Sequence, residues 1–298
     1  MRKIFITILL LTGMCTLANA SPFKDAKKGC KSGDAAQCTA LGTLYIEGGV
    51  GKVHPGKAAK SFLKACELGD AGGCYNMGTL YRAGFGVSQD YDMALQSYHK
   101  ACDNNYANGC HDIAVMYGTG TGVVRDYEKS LSYFEKACDA GSAKDCDDVG
   151  SAYMAGYNVG RNVSKAAPAF KKACDGGLLS GCVHVGNMYS GGLGFRRDDR
   201  KAEQAYIKAC DGGNDDGCVG LGDVYAIDNG AIQDEAKAME VFSKLCDKGN
   251  GDGCVKLGVM YEAGKGVRSD KDKALQLYRK ACAAENEYGC KYASEIGG

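Results

Sequence analysis

Tyr98-His99-Lys100-Ala101-Cys102-Asp103, then Gly109-Cys110, then Ile113-Ala114-Val115-Met116-Tyr117, is one turn of a pattern that returns along the chain every 36 residues. The aromatic that opens it recurs as Phe62, Tyr98, Phe134, Phe170, Tyr206, Phe242 and Tyr278. A lysine follows at Lys64, Lys100, Lys136, Lys172, Lys208, Lys244 and Lys280. The second aromatic row is Tyr45, Tyr81, Tyr117, Tyr153, Tyr189, Tyr225 and Tyr261. A fixed period of this size marks a solenoid, in which each unit buries its apolar face only against its neighbours.

Within a unit the spacing is helical. In the unit from Ala71, Met77, Gly78, Leu80 and Tyr81 fall on one helical face, which predicts a first helix from about Gly73 to Ala83. A loop with glycines at Gly84 and Gly86 follows, and a second helix is expected from Tyr91 to Asp103. The recurring lysine then lies in the last turn, where a cation suits the helix dipole, so a structural role is expected for it. The small residue beside the tyrosine row (Gly42, Gly78, Ala114, Gly150, Gly186, Gly222, Gly258) implies close backbone packing. A glycine there costs about 1 kcal/mol of helix propensity, and the tyrosine ring beside it is expected to fill the space. Both aromatic rows are expected in the core. Seven units are predicted, at 35–70, 71–106, 107–142, 143–178, 179–214, 215–250 and 251–286. A helical lead-in at 21–34 and a capping helix at 287–298 complete the chain.

Of the 17 cysteines, Cys15 lies in the N-terminal leader, and the other sixteen form pairs eight apart. Pairing within each spacing gives Cys30–Cys38, Cys66–Cys74, Cys102–Cys110, Cys138–Cys146, Cys174–Cys182, Cys210–Cys218, Cys246–Cys254 and Cys282–Cys290. Bonding across the longer gap instead would strand Cys30 and Cys290, so local pairs are expected. A structural zinc is not, because zinc-binding cysteines stand about two to four apart with further ligands nearby. His54, His99, His111 and His184 share no helical spacing and suggest no acid–base or metal role, and no cofactor is expected.

Arg2-Lys3, the apolar run from Ile4 to Leu11 and the small residues Ala18-Asn19-Ala20 read as a signal peptide over 1–20. Met14 before Cys15 is too large for a lipidation site. No later segment is apolar enough to span a bilayer, so no membrane insertion is expected after cleavage, and the mature chain is expected to be secreted or periplasmic. With 36 basic and 36 acidic side chains and no basic block, nucleic acid is not an expected partner. Asn162-Val163-Ser164 matches a glycosylation sequon.

The run Tyr-x-Lys-Ala-Cys-Asp, Gly-Cys, a Leu/Val-Gly pair, Tyr and Gly-x-Gly-Val resembles the Sel1-like repeat. Its cysteine spacing resembles that of the Helicobacter cysteine-rich protein family, over about residues 24–292. Two loops depart from the pattern, at Tyr157-Asn158-Val159 and Asp228-Asn229-Gly230-Ala231, and the tryptophan common in the second helix of such repeats is absent. The resemblance implies an all-α, right-handed α/α superhelix of TPR-like hairpins with one disulfide per repeat and the first helices lining a concave face. The positions on that face that vary between units are then free to specify a ligand, a peptide or protein segment. They include Asn76, Thr79, Arg82, Asp112, Asp148, Ser151, His184, Asn187, Asp223 and Lys256. Such a face suits a binding scaffold, with host interaction as one use.

The resemblance also implies an alternative, a penicillin-binding protein or weak β-lactamase that takes β-lactams. Ser61-Phe62-Leu63-Lys64 and Ser97-Tyr98-His99-Lys100 match Ser-x-x-Lys, and Lys31-Ser32-Gly33 resembles Lys-Thr-Gly, but there is no Ser-Asp-Asn. The lysines belong to the structural row, and Tyr133, Ala169 and Ala205 replace the serine in other units. No catalytic residue is therefore assigned.

Overall fold

The computed structural model describes residues 20–49, 51–156, 160–228 and 230–297. The signal-peptide reading, apart from Ala20, lies outside the described residues, as do 157–159 and Asn229 of the two departing loops. Sixteen helices and no strand occur among the described residues, so the chain is an all-α repeat protein.

It divides into two compact units, Met1–Ala140 and Gly141–Gly298. The first holds α1 (Ala20–Lys31), α2 (Ala35–Ile46), α3 (Pro55–Glu67), α4 (Ala71–Ala83), α5 (Tyr91–Asp103), α6 (Ala107–Thr119) and α7 (Tyr127–Asp139). The second holds α8 (Ala143–Ala155), α9 (Val163–Asp175), α10 (Leu179–Gly191), α11 (Asp199–Asp211), α12 (Asp215–Ala226), α13 (Glu235–Asp247), α14 (Gly251–Ala263), α15 (Lys271–Ala283) and α16 (Glu287–Gly297). After α1 the helices alternate as first and second members of seven hairpins, and α16 follows the last. The expected second helix of hairpin 2 has the predicted bounds, while its first helix starts two residues earlier than expected, at Ala71.

Each hairpin is closed in the same way. The first helix ends on a left-handed glycine where one is available, as at Gly84 with φ 66°. The chain then turns back until the N–H of the residue before the second helix donates to the carbonyl of the tyrosine row. That bond recurs from His54 to Tyr45, Asp90 to Tyr81, Asp126 to Tyr117, Asn162 to Tyr153, Asp198 to Tyr189, Asp234 to Tyr225 and Asp270 to Tyr261, at 2.8–3.0 Å. The same Asp or Asn caps the second helix by accepting from the N–H three residues on, in every hairpin but the first, where His54 precedes Pro55.

The small-residue row is explained by a different ring from the one expected. A Cβ on Gly42 would sit 2.4 Å from Phe62, on Gly78 2.7 Å from Tyr98, and on Gly186 2.4 Å from Tyr206. The second helix's aromatic therefore enters the hairpin over a bare backbone, and the first-helix tyrosine does not occupy that space. That tyrosine row is also only partly core. Tyr45, Tyr153 and Tyr225 are buried, whereas Tyr81, Tyr117, Tyr189 and Tyr261 are half-buried. A second lysine row covers several of these rings, with Lys57, Lys129, Lys165, Lys201 and Lys237 at 5.0–5.6 Å from the ring centres of Tyr45, Tyr117, Tyr153, Tyr189 and Tyr225.

The disulfides join hairpins rather than close them. Cys66–Cys74 ties α3 to α4 and Cys102–Cys110 ties α5 to α6, while Cys30–Cys38 attaches α1 to α2. In the second unit Cys174–Cys182, Cys210–Cys218 and Cys246–Cys254 do the same, and Cys282–Cys290 fastens α16. Cys138 and Cys146 are disulfide-bonded as well. The Cα atoms of the seven pairs stand 4.4–4.7 Å apart. A loop this short yields roughly 2.5 kcal/mol per bond on the chain-entropy account, placed where a solenoid would otherwise fray between repeats. Two of the last-turn lysines reach these junctions, where Lys208 Nζ donates to the carbonyl of Cys174 at 2.6 Å and Lys64 Nζ to that of Cys30 at 2.5 Å, while Lys244 turns to Glu240 of its own helix. Each of the two places a cation on the C-terminal end of the helix two earlier in the chain, α9 for Lys208 and α1 for Lys64.

Candidate functional site

The variable residues of the first helices are best followed one unit at a time. In the first unit, Asn76 and Thr79 of α4 line a groove of about 440 Å³ between α2 and α4. Its wall is mainly apolar, from Ile46, Phe62, Leu80 and Phe85, with Thr43 and Glu47 at its polar edge. Phe85 is 43% exposed, an apolar side chain left in water beside an apolar groove. Thr79 Oγ1 accepts from the Tyr98 hydroxyl at 3.4 Å, so the second-helix aromatic reaches through to this face when it is a tyrosine. Arg82 lies 3.8 Å from Asp112 of the next first helix. Asp112 itself is buried, not presented to solvent as expected of a ligand-facing residue. Burial, with Asp112 nearby, pushes the Tyr75 phenol above its ordinary range; burial also raises that of Tyr98.

The second unit carries the same rows with other chemistry. Lys256 Nζ contacts both carboxylate oxygens of Asp223, at 2.8 and 3.0 Å, bridging α12 and α14. Asn187 accepts from the Tyr206 hydroxyl at 2.7 Å and is exposed. Asp148 is exposed but turned to Lys144 of its own helix at 2.6 Å, and Ser151 is exposed. His184 packs on Phe170, ring centres 4.3 Å apart, with Nε2 3.8 Å from Asp147. Burial holds the Asp147 carboxyl above the usual carboxylate range; Ser180 donates to Oδ2 at 3.4 Å and Oδ1 has no hydrogen-bond partner.

The structure therefore brings together Asn76 with Thr79, Arg82 with Asp112, and Asp223 with Lys256. Asp148 and Ser151 lie one turn apart on α8, with Asp148 turned to Lys144. The sequence reading missed Asp147 and the groove-lining Ile46 and Phe85. Ile46 and Phe85 are variable apolar residues at positions held by other types in other hairpins, which was the available signal.

The serine motifs are engaged elsewhere. Ser61 Oγ donates to the Lys57 carbonyl at 3.0 Å and Ser97 Oγ to the Met93 carbonyl at 2.7 Å, both on buried side chains. Lys64 is held by Cys30, and Ser32 Oγ donates to the Gly29 carbonyl at 2.8 Å. Ser61 and Ser97 back-bond within their own helices and Ser32 back-bonds to the last turn of α1, as structural serines do.

Residues 38–70, 71–106, 107–142, 146–178, 179–214, 215–250 and 251–286 each match the Sel1 repeat. The chain belongs to the Sel1 repeat family. Among solved structures, this Sel1 repeat protein is similar to c5321, a protective antigen present in uropathogenic Escherichia coli strains displaying an SLR fold. That match has 31% identity over 92% of this chain and a TM-score of 0.69, and the chain spans 59% of that structure's length. A Sel1 repeat protein from Oxalobacter formigenes matches at 25% identity over 92% of this chain and 79% of its own, with a TM-score of 0.56. Helicobacter pylori cysteine rich protein B matches at 30% identity over 44% of this chain and 93% of its own, with a TM-score of 0.33. No curated protein matches the chain. The disulfide ladder suits an oxidising, extracytoplasmic environment, and among the described residues no helix is long and apolar enough to cross a membrane.

Proposed function

We propose that this Sel1 repeat protein is an exported binding scaffold that holds an extended peptide or protein segment across first helices of the hairpins in its first unit. The observation that carries the reading is the groove between α2 and α4, where Asn76 and Thr79 edge an apolar wall that packing leaves open. Core positions are spent on stacking, and the residues lining this groove include Ile46 and Phe85, whose counterparts differ in other hairpins. Helices packed about 10 Å apart would meet an extended chain roughly every third residue, so one apolar anchor can sit in the groove while neighbouring side chains meet polar residues. With Ser61 and Ser97 bonded to backbone carbonyls, no observation favours hydrolysis of β-lactams.

The test is a labelled peptide panel against the full oxidised chain. A peptide selected for binding should lose affinity about tenfold or more on Asn76→Ala or Ile46→Asp, the scale of a groove anchor. Affinity lost only on changing the exposed second-helix residues Gln96 and Lys100 would defeat the proposal. Nitrocefin turnover abolished by Ser61→Ala or Ser97→Ala would replace it with the enzyme reading.

A further inference from the structure

Four hairpin loops share one geometry but not one chemistry. They read Gly84-Phe85-Gly86-Val87-Ser88-Gln89-Asp90, Gly120-Thr121-Gly122-Val123-Val124-Arg125-Asp126, Gly192-Leu193-Gly194-Phe195-Arg196-Arg197-Asp198 and Gly264-Lys265-Gly266-Val267-Arg268-Ser269-Asp270. All four have paired left-handed glycines, with φ between 65° and 80°, and all four close on the tyrosine carbonyl at 2.9–3.0 Å. Valine therefore suffices for the turn where hairpin 5 carries Phe195; single arginines follow in other loops, as Arg125 and Arg268, but among these four only hairpin 5 sets two arginines beside an aromatic.

These residues build an open pocket of about 430 Å³ with Tyr189, Asp198 and Lys201. Phe195 stacks on Tyr189 with ring centres 4.4 Å apart and an interplanar angle of 16°. Lys201 lies 5.4 Å from the Tyr189 ring centre. Arg197 is committed to Asp199 at 3.0 Å, and Asp199 in turn accepts from the Ala231 N–H at 3.2 Å. Lys201 is shared with Asp198 at 3.6 Å. Arg196 is exposed, and among the described residues no carboxylate pairs with it. The pocket thus offers one uncompensated guanidinium beside an aromatic stack, and Leu193 on the same loop stands 43% exposed.

We propose that this loop is a second recognition site, for an acidic peptide segment that carries a bulky apolar side chain next to its carboxylate. The guanidinium supplies a charge-assisted, two-pronged contact to a carboxylate, and the Phe195 stack takes the neighbouring apolar group. A nucleic acid fits less well, since its affinity comes from many phosphate contacts and most of the cations here already have carboxylate partners. The site is separate from the α2–α4 groove and stands or falls independently of it.

The probe is a fluorescein-labelled dodecapeptide alternating glutamate and phenylalanine, titrated into the full oxidised chain at about 0.15 M salt. Saturable binding is expected, weakened about tenfold or more by Phe195→Val and by Arg196→Ser, which install residues that other loops of this chain carry. Peptides with glutamine for glutamate, or serine for phenylalanine, should bind as weakly, and Asn76→Ala should change nothing. Circular dichroism of both variants checks that the fold is kept. Absence of saturable binding, equal binding by the variants, equal binding of the glutamine peptide, or tighter capture of duplex DNA than of the peptide would each overturn the proposal.

Discussion

Hairpins 2 and 3 lie side by side in the first unit and differ by one methyl group at a decisive place. Hairpin 2 has Gly78, and Tyr98 enters over it to become fully buried. Hairpin 3 has Ala114 at the corresponding position, and Phe134 is half-buried, its ring 5.5 Å from that of His111. The hydroxyl chemistry changes in step: Tyr98 donates to Thr79, whereas Phe134 and Val115 at the matching positions have nothing to exchange. Repetition within one chain therefore measures a packing constraint. Where a single atom relaxes it, the ring, its partner and the exposed surface all change together.

The sharpest way to break this comparison is to remove the two rings. Tyr98→Ala should cost about 3–5 kcal/mol, the range for emptying a filled aromatic site. Phe134→Ala should cost about half that, because much of its surface already meets water. Urea denaturation with disulfides intact, followed by hydrogen exchange hairpin by hairpin, is the appropriate measurement, since repeat arrays need not unfold in one step. Equal losses at the two sites would show that Phe134 is as well packed as Tyr98.

A smaller effect comes from exchanging the helix residues. Gly78→Ala puts a Cβ 2.7 Å from Tyr98 Cδ1, and the overpacking, about 1–3 kcal/mol, should outweigh roughly 1 kcal/mol of gained helix propensity. Ala114→Gly runs the other way. It gives up about 1 kcal/mol of propensity and lets Phe134 settle, so its net change should lie near zero. An Ala114→Gly protein destabilised by the full propensity cost would mean that the methyl group is not what holds Phe134 out.

The fold was largely legible because its signals are local and multiplied. The cysteine spacing, the glycine row and both aromatic rows each recur in register, so one misread residue would not have mattered. Which ring fills the space over Gly78 was not legible. Tyr81 and Tyr98 are both aromatic, and only the closing bond from Asp90 N–H to the Tyr81 carbonyl fixes how the second helix returns. The Asp90, Asp126, Asp198, Asp234 and Asp270 caps were not read from the sequence, because they gain meaning only once a helix starts after each. The candidate face was legible as a set of variable positions, yet its internal contacts were not. Lys256 and Asp223 are 33 residues apart and meet only across stacked helices. Asp148 instead finds Lys144 one turn away on its own helix, a local competitor that periodicity does not rank.

The finest contrast between hairpins 2 and 3 lies in their second-helix caps. Asp90 and Asp126 both accept from the N–H three residues on, at 2.9 Å, but that residue is Met93 in one and Lys129 in the other. The Lys129 backbone N–H holds the Asp126 carboxyl below the usual carboxylate range, and the Lys129 ammonium, 3.5 Å from Oδ2, adds to the shift. A carboxyl depressed on folding contributes stability that is present above its unfolded pKa and disappears as the pH falls through its folded one. Hairpin 3 should therefore keep its cap into more acidic solution than an unperturbed aspartate would, and lose it below that range. Lys129→Met, which copies hairpin 2, should move this loss to slightly higher pH while retaining most of the depression, because the backbone donor remains. Carboxyl chemical shifts of Asp126 followed against pH measure this directly. A Lys129→Met protein in which Asp126 titrates as an ordinary aspartate would assign the effect to the ammonium and leave the backbone donor with little share in it.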